Sequence, residues 1–332
     1  MSSSGPTPRR LARAFRLLPR LIIAAALTAY VLWKSHPRAV LAAAAGADWR
    51  PIAIALVLVL FDRALMAYRW LVLLCTVDRA RRPRFSDVMR IFFVSTFVGT
   101  FLPASVGADA VRAYSLTKLT VDGGDAVASV LMDRILGVAS VIVMALVGLT
   151  FARELAGNRA IQAALVAAGS ICALTMLLVF SPRSAATAAG CIGTLPFTTL
   201  QRAGRRVLES IQKYAAYPRQ LVSVLFCSVA VQGLRIVQAY FLGRGLGIDT
   251  PFTSYLAFIP LILLIMLLPV TFNGIGTSQA AFVWFFAQAG VDAATAFALS
   301  VLFVALGVIG NLPGGILYAV GHGRPDADRV RS

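Results

Sequence analysis

Eight ionisable residues fall inside long apolar segments of the sequence, and their types are the ones best suited to chemistry within a membrane. They are Asp62, Arg63, Arg69, Asp109, Arg112, Asp133, Arg134 and Arg235. A charged side chain at the centre of a bilayer costs about 2.5 to 3.5 kcal/mol on insertion scales, so such residues usually face a cavity or a partner. The arginines outnumber the carboxylates by five to three. Because a guanidinium binds phosphate through two parallel hydrogen bonds, this excess favours an anionic headgroup as the ligand.

The carboxylates of this set are expected to pair with arginines. For Asp109 and Asp133 the candidate partners are Arg69, Arg112, Arg134 and Arg235. Asp133 and Arg134 are adjacent and lie in the middle of an apolar segment, which favours a functional role for both. The alternative is that arginines near helix ends extend to the membrane interface and have no specific role.

Two apolar segments are interrupted by proline and glycine, at residues 97–116 and 267–280. Each break leaves backbone N–H and C=O groups unpaired, which is costly in lipid unless protein or a water-filled cavity satisfies them. Paired interruptions in the two halves of a chain are typical of a transporter's binding site. We therefore predict that both breaks line a cavity, the alternative being loops at the membrane surface. The predicted substrate-binding residues are Arg69, Pro103, Gly107, Asp109, Arg112, Asp133, Arg134, Arg235, Pro269, Asn273, Gly274 and Gly276.

The composition is that of a membrane protein. Of the 332 residues, 59% are hydrophobic and 14% are charged, and the mean hydropathy is +0.80. Segments close to the roughly 20 residues that span a bilayer occur at 17–33, 51–75, 126–150, 160–180, 219–243 and 296–320. With the interrupted regions 88–116 and 253–290, they predict an all-α polytopic membrane protein. We expect six to eight transmembrane helices, one or two re-entrant segments, and an inverted repeat if both segments are re-entrant.

The basic residues predict the topology. The net charge of +17 would suggest nucleic acid as the partner of a soluble protein, but here the cations cluster in short loops, as the positive-inside rule requires. We expect a basic cytoplasmic arm at 1–16, a transmembrane domain at 17–320 with a cytoplasmic loop at 181–218, and a cytoplasmic tail at 321–332. This orientation favours a re-entrant hairpin at 88–116, whereas 253–290 is compatible with two spans or a hairpin.

Two further expectations concern the loop at 181–218 and catalysis. The loop alternates basic and apolar residues, which indicates either an interfacial helix on anionic lipid or a solvated loop. H-E-x-x-H, G-x-S-x-G and Walker A motifs are absent from the sequence, and its histidines are only His36 and His322. We therefore expect no cofactor, no metal and no nucleic acid partner, and we expect a transporter and not an enzyme.

Five ordered motifs resemble the membrane region of bacterial lysylphosphatidylglycerol synthases and its stand-alone, flippase-like relatives. They are Arg69-Trp70 with the leucines that follow, F-x-G-x-F-L-P-x-x-x-G-x-D-x-x-R at 97–112, Ser129 to Gly137 through Asp133-Arg134, L-P-x-x-x-N-G-I-G at 268–276, and Pro313-Gly314-Gly315. The similarity extends over nearly the whole chain. One departure is Ser278-Gln279, where the family commonly carries an Arg-Glu pair.

The resemblance implies lipid translocation. In the full-length synthases this region is associated with moving aminoacylated phosphatidylglycerol between leaflets, and a separate soluble domain makes that lipid. We expect a translocator without the synthetase, in the cytoplasmic membrane, whose partners are membrane lipids. Two alternatives remain: a membrane-embedded transferase that uses a lipid-linked donor and Asp109 or Asp133, and a non-catalytic partner of lipid-synthesis enzymes.

Overall fold

The computed structural model describes residues 45–77, 84–100, 106–118, 122–152, 157–194, 198–267 and 276–321. Regular structure in these ranges is helical, and they contain no strand. The helices are α1 (Trp49–Val77), α2 (Phe85–Thr100), α3 (Val106–Thr117), α4 (Gly123–Phe151), α5 (Arg159–Phe180), α6 (Pro182–Gly193), α7 (Thr198–Lys213), α8 (Pro218–Gly245), α9 (Phe252–Met266), α10 (Thr277–Ala287), α11 (Ala293–Ile309) and α12 (Leu312–Gly321). A single 3-10 turn, Tyr214–Ala216, joins α7 to α8.

The predicted class, an all-α polytopic membrane protein, is confirmed. Helices α1, α4, α5 and α8, together with the segment Ala293–Tyr318, are long and apolar enough to cross a bilayer. The buried side chains of these helices are largely small or aliphatic, and many of their large apolar side chains face outward, as lipid-facing surfaces require. The predicted arm at 1–16, the first predicted span at 17–33 and the tail from 322 onward lie outside the described residues.

The interrupted regions each form two short helices that pack against each other. In the first, α2 and α3 approach so closely at Gly99 and Ala108 that a side chain at Gly99 would overlap the Ala108 methyl group. In the second, α9 has 15 residues and α10 has 11, or about 22 and 16 Å at 1.5 Å per residue. Both are shorter than the hydrocarbon core of about 30 Å. These lengths are those expected of re-entrant helices.

A third interruption divides the segment 296–320, which the sequence predicts as one membrane-length apolar segment. Helix α11 ends at Ile309 and α12 begins at Leu312. Pro313 accounts for the break, because its ring clashes with the carbonyl of the residue four positions earlier, Ile309. After the break α12 packs on α2, where side chains at Gly314 and Gly315 would overlap the Phe93 carbonyl group and the Phe97 ring. The Asn311 side chain also donates a hydrogen bond of 3.1 Å to Thr100 Oγ1 at the end of α2.

The described part of the region 181–218 is mostly helical, and much of its apolar surface packs on the protein. On α7, Leu208 and Ser210 are buried, whereas the arginines 202, 205 and 206 are exposed. Lys213 forms an ion pair of 2.7 Å with Asp125 at the start of α4. Tyr214, which follows α7, donates a hydrogen bond of 3.4 Å to the Leu73 carbonyl in α1.

These contacts define two ends of the helical bundle. The basic face comprises α7 and the helix ends beside it, namely the end of α1 at Val77 and the start of α4 at Gly123. The opposite face comprises the start of α1 and the end of α8, which are joined by a hydrogen bond of 2.8 Å from Asp48 N–H to the Gly245 carbonyl. Near this face the core is aromatic. The rings of Phe282 and Phe286 are stacked, and their centres are 5.8 Å apart.

Candidate functional site

The centre of the bundle contains an ion pair between α1 and α4. Arg69 Nε and Nη2 lie 2.8 and 2.6 Å from Asp133 Oδ1, and both residues are only 4% exposed. Arg69 Nη1 also donates to Ser228 Oγ of α8 at 3.0 Å. Gly137 lies one turn beyond Asp133, and a Cβ built there would be 3.8 Å from the guanidinium of Arg69. A Cβ at this position would therefore be in ordinary van der Waals contact with the arginine.

A second arginine reaches the same carboxylate from the first broken segment. Arg112 Nη1 of α3 lies 3.4 Å from Asp133 Oδ2. Its guanidinium carbon is 4.9 Å from the ring centre of Trp70 and 4.6 Å from that of Phe92. Such cation-π contacts stabilise a desolvated guanidinium. The Arg112 Nε atom is buried and has no hydrogen-bond acceptor among the residues that the structure describes, so these residues do not fill the hydrogen-bonding capacity of this arginine.

The Arg69 cluster, which we define as Arg69, Arg112, Asp133 and Ser228, carries an uncompensated positive charge. It holds two guanidinium groups and one carboxylate. Two guanidinium groups offer ten N–H donors, and the polar atoms that accept from them here are the two Asp133 oxygens and Ser228 Oγ. A buried charge without compensation is costly. An anion with several acceptor oxygens would balance both the charge and the hydrogen bonds.

A similar group, the Asp62 cluster, consists of Asp62, Arg63, Met66 and Arg235. Asp62 is 1% exposed, and its Oδ2 is 3.2 Å from Arg63 Nη1 while its Oδ1 is 3.6 Å from Arg235 Nε. Arg63 Nη2 also donates to the Gly307 carbonyl at 3.1 Å. That carbonyl lies in the last turn of α11, where helical carbonyls lack partners within the helix. Here too two arginines face one carboxylate.

The remaining predicted pair lies at the edge of the bundle. Arg134 Nε donates to Asp109 Oδ2 at 2.7 Å, and the Arg134 side chain is 42% exposed. Asp133 and Arg134 are adjacent in sequence but belong to separate ion pairs, because neighbouring residues on a helix do not face each other. Asp133 and Arg134, for both of which the sequence favours a functional role, therefore occupy different sites. Similarly, Asp109 and Arg112 share α3 but engage different partners, and Arg235 joins Asp62 instead of Asp109 or Asp133.

Uncharged polar residues, which the sequence did not indicate as site residues, lie between the two clusters. Gln232 of α8 donates to Ser140 of α4 at 3.2 Å, and both are buried. A regular spacing could have revealed them. Polar residues recur seven positions apart on three helices, a spacing that places them on one face: Asp62 and Arg69 on α1, Asp133 and Ser140 on α4, and Ser228 and Arg235 on α8. The result is a polar column through an otherwise apolar core.

The tips of the two broken segments are only partly described. Pro103, Pro269, Asn273 and Gly274 lie outside the described residues, and Gly107 lies in the first turn of α3. Gly276 precedes α10 with a φ of 89°, a backbone conformation that favours glycine. Its N–H donates to Gln279 Oε1 at 2.5 Å. Gln279 thus occupies the third helical position of a capping-box arrangement, a role that does not require the carboxylate common in the resembling family.

A cavity of about 740 Å³ opens on the opposite face, between the end of α4 and the α9–α10 hairpin. Its described lining includes Asn158, Ser254, Trp284 and Gln288, but none of the arginines of the two clusters. The Arg69 cluster is buried, because its members are at most 4% exposed, whereas the Arg235 side chain of the Asp62 cluster is 24% exposed.

The fold and the buried charges define a polytopic helical membrane protein with arginine–carboxylate sites inside its transmembrane core. A family model described as the lysylphosphatidylglycerol synthase TM region matches residues 18–314. The chain therefore belongs to the lysylphosphatidylglycerol synthase TM region family, and the predicted resemblance is confirmed. It is an integral membrane protein related to lipid metabolism. A search of curated proteins gave no match.

Proposed function

We propose that this protein moves a phospholipid or lipid-linked precursor with an anionic headgroup between the leaflets of the cytoplasmic membrane. The observation that carries the proposal is the Arg69 cluster, in which two nearly inaccessible arginines share one carboxylate. An unpaired guanidinium at this depth is stabilised by an anion, and the planar guanidinium matches the geometry of a phosphate. The acyl chains would stay in lipid while the headgroup crosses through the protein.

The position of Arg112 supports access to this site. It is supplied by α3, the helix that follows the first break, whereas Asp133 lies on the continuous helix α4. A short helix after a break moves more readily than a long spanning helix, because fewer contacts hold it. A headgroup phosphate competing with Asp133 for Arg112 would thus link binding to movement of the broken segment.

The charge distribution supports the orientation. The exposed arginines of α7 make the basic face the cytoplasmic one under the positive-inside rule. The N-terminus, residues 181–218 and the C-terminus then lie in the cytoplasm, and the α9–α10 hairpin enters from the outside. Asp109 and Asp133, the carboxylates considered for a transferase, are both engaged by arginine, which disfavours that alternative.

The proposal is tested by reconstituting the purified protein in vesicles that contain a trace of fluorescent phosphatidylglycerol and adding a membrane-impermeant quencher. We expect the wild type to expose inner-leaflet label and Arg112→Gln to slow this by roughly tenfold or more, the loss for a hydrogen bond to a charged group. Arg112→Lys should give an intermediate rate of transport. Lysine keeps the positive charge but cannot form the two parallel hydrogen bonds of a planar guanidinium. Arg244→Gln is the matched control, since Arg244 pairs with the exposed Asp249 at the end of α8.

Labelled phosphatidylcholine, which is zwitterionic, tests the headgroup charge in the same vesicles. We expect it to cross more slowly than phosphatidylglycerol. If the wild type moves no lipid, or if Arg112→Gln moves phosphatidylglycerol at the wild-type rate, the proposal is wrong.

A further inference from the structure

The Asp62 cluster carries one more positive charge than its carboxylate compensates, and its hydrogen bonding is incomplete. Its two arginines face one carboxylate, and Asp62 Oδ1 makes no hydrogen bond because Arg235 Nε is 3.6 Å away. Arg63 Nε is buried without an acceptor. Arg63 Nη2 donates to the Gly307 carbonyl at 3.1 Å, but Arg63 Nη1 and Arg235 Nη2 both approach the Met66 sulfur, a weak acceptor, at 3.5 and 3.4 Å. The cluster thus has the same excess of positive charge as the Arg69 cluster, and its Arg63 Nε–H lacks an acceptor among the described residues.

The two clusters are aligned along the bundle. Asp62 precedes Arg69 by seven residues on α1, and Ser228 precedes Arg235 by seven residues on α8. Seven residues correspond to about 10 Å along a helix, roughly a third of the hydrocarbon core. Because Asp62 meets Arg235 while Arg69 meets Ser228, the helices run antiparallel and the clusters lie at two depths. Gln232 and Ser140 provide polar groups between them.

We propose that the Asp62 cluster is a second binding station for the phosphate of the same headgroup, reached after or before the Arg69 cluster. This inference rests on the proposed function and assigns Arg63 and Arg235 as the phosphate ligands. Two anion sites about 10 Å apart divide one long transfer through an apolar core into shorter steps. Asp62 competes with the phosphate for both arginines and so favours release.

Substitutions of Arg235 and of Asp62 should have different effects on the amount of bound lipid. Arg235→Gln leaves the neutral pair Asp62 and Arg63, so the protein should fold, should retain phosphatidylglycerol at the Arg69 cluster, and should transport it roughly tenfold or more slowly. Asp62→Asn removes the competitor, so more phosphatidylglycerol should stay bound after purification while transport also slows. Arg235→Lys should restore part of the rate. Arg244→Gln, on the same helix as Arg235, serves as the control.

The experiment combines the vesicle assay with native mass spectrometry of each variant, recorded with and without added inorganic phosphate. The two sources of phosphate differ in mass, so detection of inorganic phosphate alone at the Arg235-dependent site overturns the lipid station. Wild-type transport by Arg235→Gln also overturns it. Equal loss of bound lipid and of thermal stability in Arg235→Gln and Asp62→Asn would show that the cluster is only structural. Wild-type protein that moves no lipid refutes the proposed function itself, whereas slow Arg112→Gln with normal Arg235→Gln refutes only the second station.

Discussion

At the scale of single residues, the protein places charge where lipid would exclude it and balances that charge incompletely. Asp133 compensates one of its two arginines, and the aromatic rings of Trp70 and Phe92 partly stabilise Arg112. The sequence predicted that these residues would be engaged within the membrane, because ionisable residues are costly there. It could not predict the pairing, since partners come from α1, α3 and α4, which are distant in sequence. Ser140, Ser228 and Gln232 escaped notice because uncharged polar residues are common in transmembrane helices.

The contribution of Asp133 to the folded state can be tested through the stability of its variants. Asp133→Asn keeps the side-chain shape but leaves both arginines without a buried carboxylate, and we expect a loss of about 3 kcal/mol, as for other broken buried ion pairs. The double variant Asp133→Asn with Arg69→Gln should lose less than the sum of the single variants, because the partners are coupled. Thermal unfolding of the protein in detergent measures both. Strictly additive losses would show that Arg69 and Asp133 do not depend on each other.

At the scale of helices, interruptions determine which backbones approach closely. The sequence predicted the breaks near Pro103 and Pro269, because proline and glycine interrupt apolar runs visibly. It did not predict the break before Pro313, since the hydropathy remains high through that segment. The consequence appears only in the fold, where the glycines after Pro313 let α12 lie against α2 and Asn311 reach Thr100. The second broken segment likewise depends on Gly276, which precedes α10 with a positive φ. The family motif marks this glycine in the sequence, but the sequence does not show its backbone conformation.

The packing of α12 on α2 is tested at Gly314. Gly314→Ala would place a methyl group against the Phe93 carbonyl oxygen, so we expect a destabilisation of about 1 to 3 kcal/mol, typical of overpacking. Gly169 of α5 is the matched control, because a methyl group there would meet nothing within 4 Å. Gly169→Ala should be neutral or stabilising by up to about 1 kcal/mol through helix propensity. Equal midpoints of thermal unfolding for both variants would contradict the close contact of α12 with α2.

At the scale of the whole molecule, the polar column lies inside an apolar bundle whose two ends differ in charge. The basic face carries the arginines of α7, and the opposite face carries the loops around Asp249 and Asp292. The sequence predicted the overall class and the basic character of the 181–218 region from composition alone. It left open whether that region is an interfacial helix on anionic lipid or a solvated loop. In the structure α7 is helical, and its buried side packs on α4 and α6.

The orientation is tested by labelling single cysteines in a variant that lacks Cys75, Cys172, Cys191 and Cys227. Arg202→Cys places a thiol on the exposed side of α7, and Asp249→Cys places one on the opposite face, where the side chain is 89% exposed. A membrane-impermeant maleimide should label the Asp249→Cys variant in intact cells and the Arg202→Cys variant only after permeabilisation. The reverse pattern would invert the proposed topology.

The central claim is that the Arg69 cluster binds the phosphate of an anionic lipid, and native mass spectrometry of the protein purified from membranes in mild detergent tests it most directly. We predict that the wild type and Arg244→Gln retain an anionic phospholipid or lipid-linked phosphate. Arg112→Gln, which removes the excess guanidinium of the Arg69 cluster, should retain it in a fraction roughly tenfold smaller. Equal retention by Arg112→Gln and the wild type, or retention of only zwitterionic lipid by all three, would contradict the claim.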